Sequence, residues 1–429
     1  MMIPGVFAVL QVADPQLPPP STGVFVVYTL FKICLLVFPA YMIGVALLTL
    51  AERKISAWIQ DRHGPNRVGW GGLGQPFADG LKNIMKEETY PSEAYKPLFI
   101  LAPALAFIPA LITYAVIPFA APLPLRWGRM DMVIADLPVG FLYILAIASL
   151  GVYGIVLAGW SSNNKYSLLG GLRSSAQMVS YEISMGMSTI AVLLLAGNVA
   201  LGKIIEQQAT MGWNVALLSI SFFIFLVAAF AETNRLPFDL PEAESELIAG
   251  YHTEYSAMKF SLFFIAEYAN MVTASALIAT LFFGGWDIPF TLWDNTPPWS
   301  WLKTLLTLAM FSIKVLFFLF FYMWIRWTLP RFRYDQLMSL GWKFMLPLAL
   351  AYIVIIAGAL LALDMAGLPR DWRYGLALFG LNVVLLILLF VILDRGRIVS
   401  PASSRIRAAE LARLRAAAAR STLGAGLGD

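Results

Sequence analysis

The sequence predicts an all-α, polytopic membrane protein, and two observations carry this prediction. Of the 429 residues, 59% are apolar and only 13% are charged, whereas a soluble domain carries about 25% charged residues. The apolar residues form blocks of about 20, which is the length that a helix needs to cross a hydrocarbon layer of about 30 Å. We therefore expect a single transmembrane domain over residues 24–395, between an N-terminal segment (1–23) and a basic tail (396–429).

The apolar blocks predict about nine transmembrane helices. In chain order they cover residues 24–50, 98–120, 137–159, 176–197, 214–230, 258–284, 305–326, 344–363 and 374–394. With the N-terminus outside, the inner loops hold 21 of the 30 Lys and Arg residues and the outer loops hold six. Because loops rich in Lys and Arg stay on the cytoplasmic side, the count predicts a periplasmic N-terminal segment and a cytoplasmic tail.

The first inner loop (51–96) is predicted to contain two amphipathic helices. Ile55, Trp58 and Ile59 follow helical spacing behind a charged Glu-Arg-Lys run, and Pro76 can open a second short helix. The apolar face of this second helix would consist of Phe77, Leu81, Ile84 and Met85. Such helices are typical of the membrane interface.

A second inner loop (231–257) is strongly acidic although it lies between two apolar spans. Its acidic residues, opposed by Arg235 alone, are Glu232, Asp239, Glu242, Glu244, Glu246 and Glu254. An acidic loop at such a place is costly unless it lines water, faces a partner or moves protons. A solvated acidic face is the alternative interpretation.

Two further carboxylates lie inside predicted spans. Glu182 is about 9 Å and Glu267 about 14 Å from the cytoplasmic ends of their spans, at a rise of about 1.5 Å per residue. A charge near the centre of a membrane helix costs about 2.5–3.5 kcal/mol. Each residue must therefore be protonated, hydrated or paired. The alternatives to a role in proton transfer are a neutral glutamate hydrogen-bonded between helices, or a glutamate paired with Lys259 or Lys314.

The composition argues against several kinds of site. A single cysteine, Cys34, allows neither an intrachain disulfide nor a Cys-based cluster, and two histidines are too few for a metal site. We also expect no nucleotide-binding loop of the GxGxxG or GKS type on this chain. The basic residues are explained by membrane topology, so we expect no nucleic acid among the partners.

Four segments resemble one family. They are AERKISAWIQDRHGPNRVGWGGLGQPFADGLKNIMKEE, ETNRLPFDLPEAESELIAGYHTEYS, AEYANM and PRFRYDQLMSLGWK. All four are similar to the family of the H subunit of bacterial NADH–quinone oxidoreductase, which corresponds to mitochondrial NADH dehydrogenase subunit 1 of respiratory complex I. The resemblance covers about residues 45–345, with the last predicted span beyond an eight-helix family core.

The resemblance implies a subunit of the bacterial inner membrane that forms much of the ubiquinone tunnel and begins a path of buried proton-carrying groups. It implies ubiquinone as the substrate and no cofactor on this chain, with FMN and the iron–sulfur clusters in partner subunits. The expected partners are the other membrane-arm subunits, the peripheral subunits at the quinone site and the lipid bilayer. This subunit would support NADH:quinone oxidoreduction without carrying electrons itself.

The resemblance also assigns individual residues. The quinone-tunnel set is Glu52, Arg53, Trp58, Arg62, Asp79, Arg235, Phe238, Asp239, Glu242, Glu244, Arg326 and Arg331. The proton-path set is Glu182, Glu232, Glu246 and Glu267. Two other function classes stay open: an anchor subunit of a membrane-bound hydrogenase or formate hydrogenlyase, and a stand-alone ion-coupled transporter. Completeness of the four segments favours the quinone enzyme, and the lack of an inverted repeat disfavours the transporter.

Overall fold

The chain is almost entirely helical in the computed structural model, which describes residues 22–34, 41–125, 128–239, 249–289 and 291–394. The α-helices are α1 (Thr22–Lys32), α2 (Ile43–Ile59), α3 (Gln75–Met85), α4 (Lys96–Ile112), α5 (Gly140–Ser161), α6 (Lys165–Ala196), α7 (Leu201–Met211), α8 (Asn214–Leu217), α9 (Ser219–Glu232), α10 (Ala257–Phe282), α11 (Trp301–Thr328), α12 (Tyr334–Ser339), α13 (Leu346–Met365) and α14 (Trp372–Asp394). Two short strands, β1 (Leu123–Leu125) and β2 (Gly128–Met130), pair antiparallel between α4 and α5. The prediction of an all-α membrane protein is confirmed, with this small ribbon as an addition.

Within the part of the chain that the structure describes, seven stretches of helix are long and apolar enough to cross a membrane: Lys96–Val116, Gly140–Ser161, Lys165–Ala196, Ala257–Phe282, Trp301–Thr328, Tyr334–Met365 and Trp372–Ile392. Each coincides with one predicted span. The other two predicted spans contain the shorter apolar helices α1 and α9. The first of them also includes residues 35–40, which lie outside the described part of the chain. The count of nine spans and the orientation stay predictions.

Helix α6 begins at Lys165 and so extends eleven residues before the predicted membrane span (176–197). The side chain of Asn164 accepts a hydrogen bond from the backbone N–H of Tyr166 at 2.9 Å and thereby caps the helix. At the other end Gly197 adopts a left-handed conformation, with φ of +64°, which ends the helix. The 32 residues of α6 are about 48 Å long, longer than the hydrocarbon layer.

Close packing of small residues holds the helices together. Helix α5 packs against α4 and α6, and α6 packs against α9. At Gly154 of α5 an added Cβ would lie 2.7 Å from the backbone nitrogen of Ala106 in α4. A glycine is therefore required there for the two backbones to approach, as is common between membrane helices.

Both predicted amphipathic helices are present. Helix α2 continues without a break through Glu52, and α3 begins one residue before Pro76. The apolar face of α3 is exposed on this chain, as Phe77 illustrates with 70% of its surface accessible.

The turn between α2 and α3 contains Gly69, Gly71 and Gly74, which have the spacing of a GxGxxG loop. A nucleotide-binding loop of this type follows a strand and opens a helix within a βαβ unit. Here the preceding element is α2, and residues 41–122 of the described chain contain no strand. The spacing therefore lacks the fold that would give it a nucleotide-binding role.

The chain divides into two compact units, Met1–Leu378 and Phe379–Asp429. Within the second unit the structure describes the C-terminal part of α14, up to residue 394. The predicted tail (396–429) and nearly all of the predicted N-terminal segment (1–23) lie outside the described residues.

Candidate functional site

A cavity of about 770 Å³ lies between α2, α3, α10 and α11. Five residues of the predicted tunnel line it: Glu52, Arg53, Arg62, Asp79 and Arg326. These residues come from positions as far apart as 52 and 326, and the fold brings them to one wall. The volume falls within the range of about 300–1,000 Å³ that is usual for ligand sites.

The part of the lining that α10 contributes is mostly apolar. It consists of Met258, Phe260, Phe264 and Ile265 from the first three turns of the helix, together with Ser261 and Tyr268. The cavity therefore has a charged side and an aromatic, aliphatic side. Such a division suits a ligand with a polar head and an apolar tail.

Helix α2 presents one stripe of residues to the cavity. Ala46, Thr49, Glu52 and Ser56 recur at helical spacing and all line it. The Ser56 hydroxyl accepts a hydrogen bond from the indole N–H of Trp327 at 3.0 Å, which joins α2 to α11. The predicted tunnel residue Trp58 lies off this stripe. It is 68% exposed and does not line the cavity.

Asp79 joins α3 to α2 at the cavity lining. Its carboxylate accepts a hydrogen bond from Arg53 at 2.6 Å and another from Gln75 at 3.0 Å. Because the Arg53 side chain is 53% exposed, this ion pair contributes at most about 1 kcal/mol to stability. Its importance is that it holds two charged groups at a fixed place on the wall.

An ion cluster consists of Glu52 and Arg326, which line the cavity, together with Arg235 and Glu267, which do not. Arg235 Nη1 donates to both oxygens of Glu52, at 2.8 and 3.1 Å, and Arg326 donates to the same carboxylate. Arg235 Nε lies 2.6 Å from Glu267 Oε1, an ion pair that lacks the alignment of a hydrogen bond. The Arg235 guanidinium also lies 4.4 Å from the ring centre of Tyr268. Arg235 therefore connects a cavity-lining carboxylate to an intramembrane one.

The backbone around Arg235 is held by a glutamine of α6. Gln177 Nε2 lies 2.8 Å from the carbonyl oxygens of Ala231 and Phe238, and 3.2 Å from the side-chain oxygen of Asn234. Gln177 thus fixes both ends of the segment that carries Arg235. Polar side chains act in this way between membrane helices.

Phe238, Asp239 and Arg331 form a group beside the cluster. The ring of Phe238 lies between those of Tyr181 and Phe332, at 5.7 and 5.5 Å. Asp239 accepts a hydrogen bond from Arg331 at 3.1 Å. Burial raises the pKa of Asp239, and the charge of Arg331 offsets part of this rise. With Arg235, these three predicted tunnel residues adjoin the cavity without lining it.

A second, much smaller cavity of about 30 Å³ lies beside Glu267. This is room for about one water molecule. Glu232, Glu267, Asn270 and Tyr251 are among the residues that line it. Glu182 lies near Glu232, on the neighbouring helix α6. The fold thus gathers Glu182, Glu232 and Glu267 in one region.

Among the residues that the structure describes, neither intramembrane glutamate pairs with a lysine, so the expected alternative of a Glu–Lys pair is wrong. Glu182 is hydrogen-bonded to the hydroxyl of Ser149. Lys259 pairs instead with Glu88 at 2.5 Å, and Lys314 donates to backbone carbonyls. The direction of the lysine side chains explains why no such pair forms: the two ammonium groups lie near the ends of α10 and not near Glu267.

Three predicted site residues cannot be placed. Glu242, Glu244 and Glu246 belong to residues 240–248, which lie outside the described part of the chain.

Sequence reasoning missed several residues of the site. Tyr268 and Asn270 follow Glu267 closely, and their polar groups within an apolar helix are a signal that could have been used. Gln177 precedes Tyr181 by one helical turn and could have been found in the same way. Phe260 and Phe264 carry no such signal, because aromatic residues are common throughout this chain.

Comparison with known proteins identifies the family. A family model described as NADH dehydrogenase matches residues 31–357. An H subunit of the NADH-quinone oxidoreductase of Cytophaga hutchinsonii is 50% identical over 329 residues, which is 76% of this chain and 94% of that protein. The H subunit from Leptospira biflexa is 52% identical over 330 residues (75% and 91%). NADH-quinone oxidoreductase subunit 8 from Rhodothermus marinus is 52% identical over 333 residues (76% and 95%). This chain is therefore a multi-pass membrane protein that belongs to the NADH dehydrogenase family.

Proposed function

We propose that the chain is the membrane subunit of a proton-pumping NADH:quinone oxidoreductase, in which it forms much of the quinone tunnel and the first part of the proton path. The names of the relatives support the complex, and the cavity between α2, α3, α10 and α11 supports the tunnel. They favour this function over a hydrogenase anchor or a stand-alone transporter.

The chemistry of the cavity walls suits a quinone. A quinone head has two carbonyl oxygens that accept hydrogen bonds, and Arg53, Arg62 and Arg326 provide donors on the charged wall. An isoprenoid tail is apolar, and Phe260 and Phe264 provide an apolar wall. Arginine suits this role because its charge persists and its donors point in fixed directions.

The Arg235 bridge is the single observation that carries the coupling part of the proposal. Its guanidinium contacts Glu52 on the cavity wall and Glu267 at the small cavity. Reduction of a quinone adds negative charge to its head, which then takes up two protons. A change of charge beside Glu52 alters how strongly Arg235 interacts with Glu52 and with Glu267, because charges interact strongly in a medium of low dielectric constant. Glu267 would then exchange a proton with the Glu232–Glu182 pair.

The remaining parts of the proposal concern other chains. Electrons would arrive from FMN and iron–sulfur clusters in partner subunits, and the substrate would be ubiquinone. The partners would be the other subunits of the complex, in the bacterial inner membrane. The exposed apolar face of α3, with Leu81 and Ile84, would be covered by the membrane interface or by one of these subunits.

The test compares two electron acceptors on the assembled complex. Arg326→Ala should lower NADH:quinone reductase activity about tenfold or more, equivalent to about 1.4 kcal/mol of transition-state stabilisation. NADH oxidation by an artificial acceptor that takes electrons before the quinone should be unchanged. Arg129→Ala is the matched control, because Arg129 forms an exposed ion pair with Asp131 at 2.8 Å, outside the cavity lining. Equal quinone reductase activity in the two variants would refute the proposed site.

A further inference from the structure

Lys314 lies in the middle of α11 with 7% of its surface accessible. Its ammonium nitrogen donates to three backbone carbonyls, of Phe283 at 2.7 Å, Gly285 at 2.9 Å and Asp287 at 2.6 Å. An ammonium group has three N–H donors and no acceptor. All three donors are therefore satisfied by alternate carbonyls of one five-residue segment.

The local sequence explains why these carbonyls point to one place. Helix α10 ends at Phe282, and Gly284 and Gly285 follow in left-handed conformations with φ of +72° and +55°. This conformation is unfavourable for residues with a Cβ. An added Cβ on Gly284 would also lie 2.8 Å from the indole nitrogen of Trp213. The glycine pair thus turns the chain so that its carbonyls converge, and carbonyls at the end of a helix favour a cation.

The groups around the ammonium resemble a site for a monovalent cation. The ring centre of Trp213 lies 4.6 Å from Lys314 Nζ, which adds a cation–π contact. The Asp287 carboxylate makes no hydrogen bond to Lys314; it accepts from Trp213 Nε1 at 3.2 Å and from Asn295 Nδ2 at 2.5 Å. The negative charges of Asp287 and Asp294 are nevertheless near enough to attract the ammonium group. The direct contacts of the cation are carbonyl dipoles and a ring face, as in sites built from rings of carbonyls.

We propose that the carbonyls of Phe283, Gly285 and Asp287 form a binding site for a monovalent cation of the ammonium or potassium class, which the chain fills with its own Lys314. The hydrogen bonds of Lys314 to these carbonyls hold the segment 283–289 against α11. Lys314 is in this view a positioning residue, and it takes no part in proton transfer to Glu267.

Two other buried lysines provide an internal comparison. Lys303 of the same helix donates to one carbonyl, of Thr296 at 2.7 Å. Lys32 donates to two, of Asp131 at 3.1 Å and Val133 at 2.5 Å. A single carbonyl does not form a cation site, so Lys303 is the matched control.

The experiment is chemical rescue of the full-length chain in its membranes. Membranes that contain the chain are heated to a series of temperatures and then extracted with detergent. The midpoint is the temperature at which only half of the chain can still be extracted. Lys314→Ala should lower this midpoint, because three buried carbonyls lose their hydrogen-bond donors and the removed side chain leaves a cavity. Ammonium, methylammonium or potassium chloride should then restore at least half of the loss.

Size and position provide the controls. Tetramethylammonium chloride at equal ionic strength should not rescue Lys314→Ala, because its four methyl groups make the ion too large and keep its charge away from the carbonyl oxygens. The Lys303→Ala midpoint should not respond to any of these salts beyond the wild-type response. A wild-type midpoint in Lys314→Ala, or equal rescue by all four salts, would overturn the proposal.

A second variant covers the case in which Lys314→Ala does not accumulate. Lys314→Arg keeps the charge, but a planar guanidinium cannot direct three donors at three carbonyls around one point. We expect its midpoint to lie below that of the wild type. A midpoint equal to the wild-type value would show that any buried cation suffices, and the carbonyl site would be wrong.

Discussion

Replacing Arg235 with Gln removes the cation that joins Glu52 to Glu267. In the wild type one guanidinium serves both carboxylates, through Nη1 at 2.8 Å and Nε at 2.6 Å. The two carboxylates are not equally dependent on it. Glu52 keeps Arg326 as a second partner, whereas Glu267 keeps no other ion pair within the described residues.

The size of the effect follows from this asymmetry. Removing one partner of a buried ion pair costs about 3–5 kcal/mol, because the remaining charge is left without compensation. Since Glu52 is still paired, most of the loss in Arg235→Gln should come from Glu267. We expect the free energy of unfolding to fall by about 3–5 kcal/mol. Additional replacement of Glu267 with Gln should then recover about 1–3 kcal/mol.

A double-mutant cycle measures this coupling. The free energies of unfolding of wild type, Arg235→Gln, Glu267→Gln and the double variant would be obtained on the purified full-length chain in detergent, with tryptophan fluorescence as the signal. Glu182→Gln replaces Glu267→Gln in the control cycle, because Glu182 is bonded to Ser149 whereas Arg235 pairs with Glu52 and Glu267. Additivity of the Arg235 and Glu267 changes to within about 0.5 kcal/mol would refute the bridge.

Three further predictions concern other residues of the chain. Burial lowers the pKa of His252 from 6.5 to about 4, so the unfolded chain binds more protons between these pH values, and stability should fall by up to about 3 kcal/mol as the pH drops through this window. His252→Phe should remove that dependence in unfolding measured at pH 4 and pH 7, and an unchanged slope would contradict it. Phe238→Ala should lower the free energy of unfolding by about 3–5 kcal/mol, whereas the exposed Phe77→Ala should change it by less than about 0.5 kcal/mol. Arg53→Gln should change stability by less than about 1 kcal/mol yet lower quinone reductase activity of the complex, and normal activity would exclude Arg53 from the site.

The sequence alone determined the class of fold, because hydrophobic block length is a local property. A stretch of about 20 apolar residues has few solutions other than a membrane helix. The short helix that begins near Pro76 was predictable for the same reason, since proline position and apolar spacing act within one or two turns. The true start of α6 was not predicted, because a single side chain, Asn164, decides it.

The motifs also named residues that the fold gathers, but not how they are joined. Glu52, Arg235 and Glu267 could be named from their sequence segments. They form one cluster only because α2, α10 and the segment after α9 pack against each other. Contacts between residues 183 positions apart in sequence, such as that of Arg235 with Glu52, leave no trace in local spacing.

The partners of the buried lysines show most clearly what tertiary structure decides. From the sequence, Lys314 and Lys259 were equally good partners for an intramembrane glutamate. In the structure Lys314 meets the carbonyls that two glycines turn towards it, and Lys259 meets Glu88. Charge alone defines which groups need compensation, whereas the direction in which each side chain leaves its helix defines which group provides it.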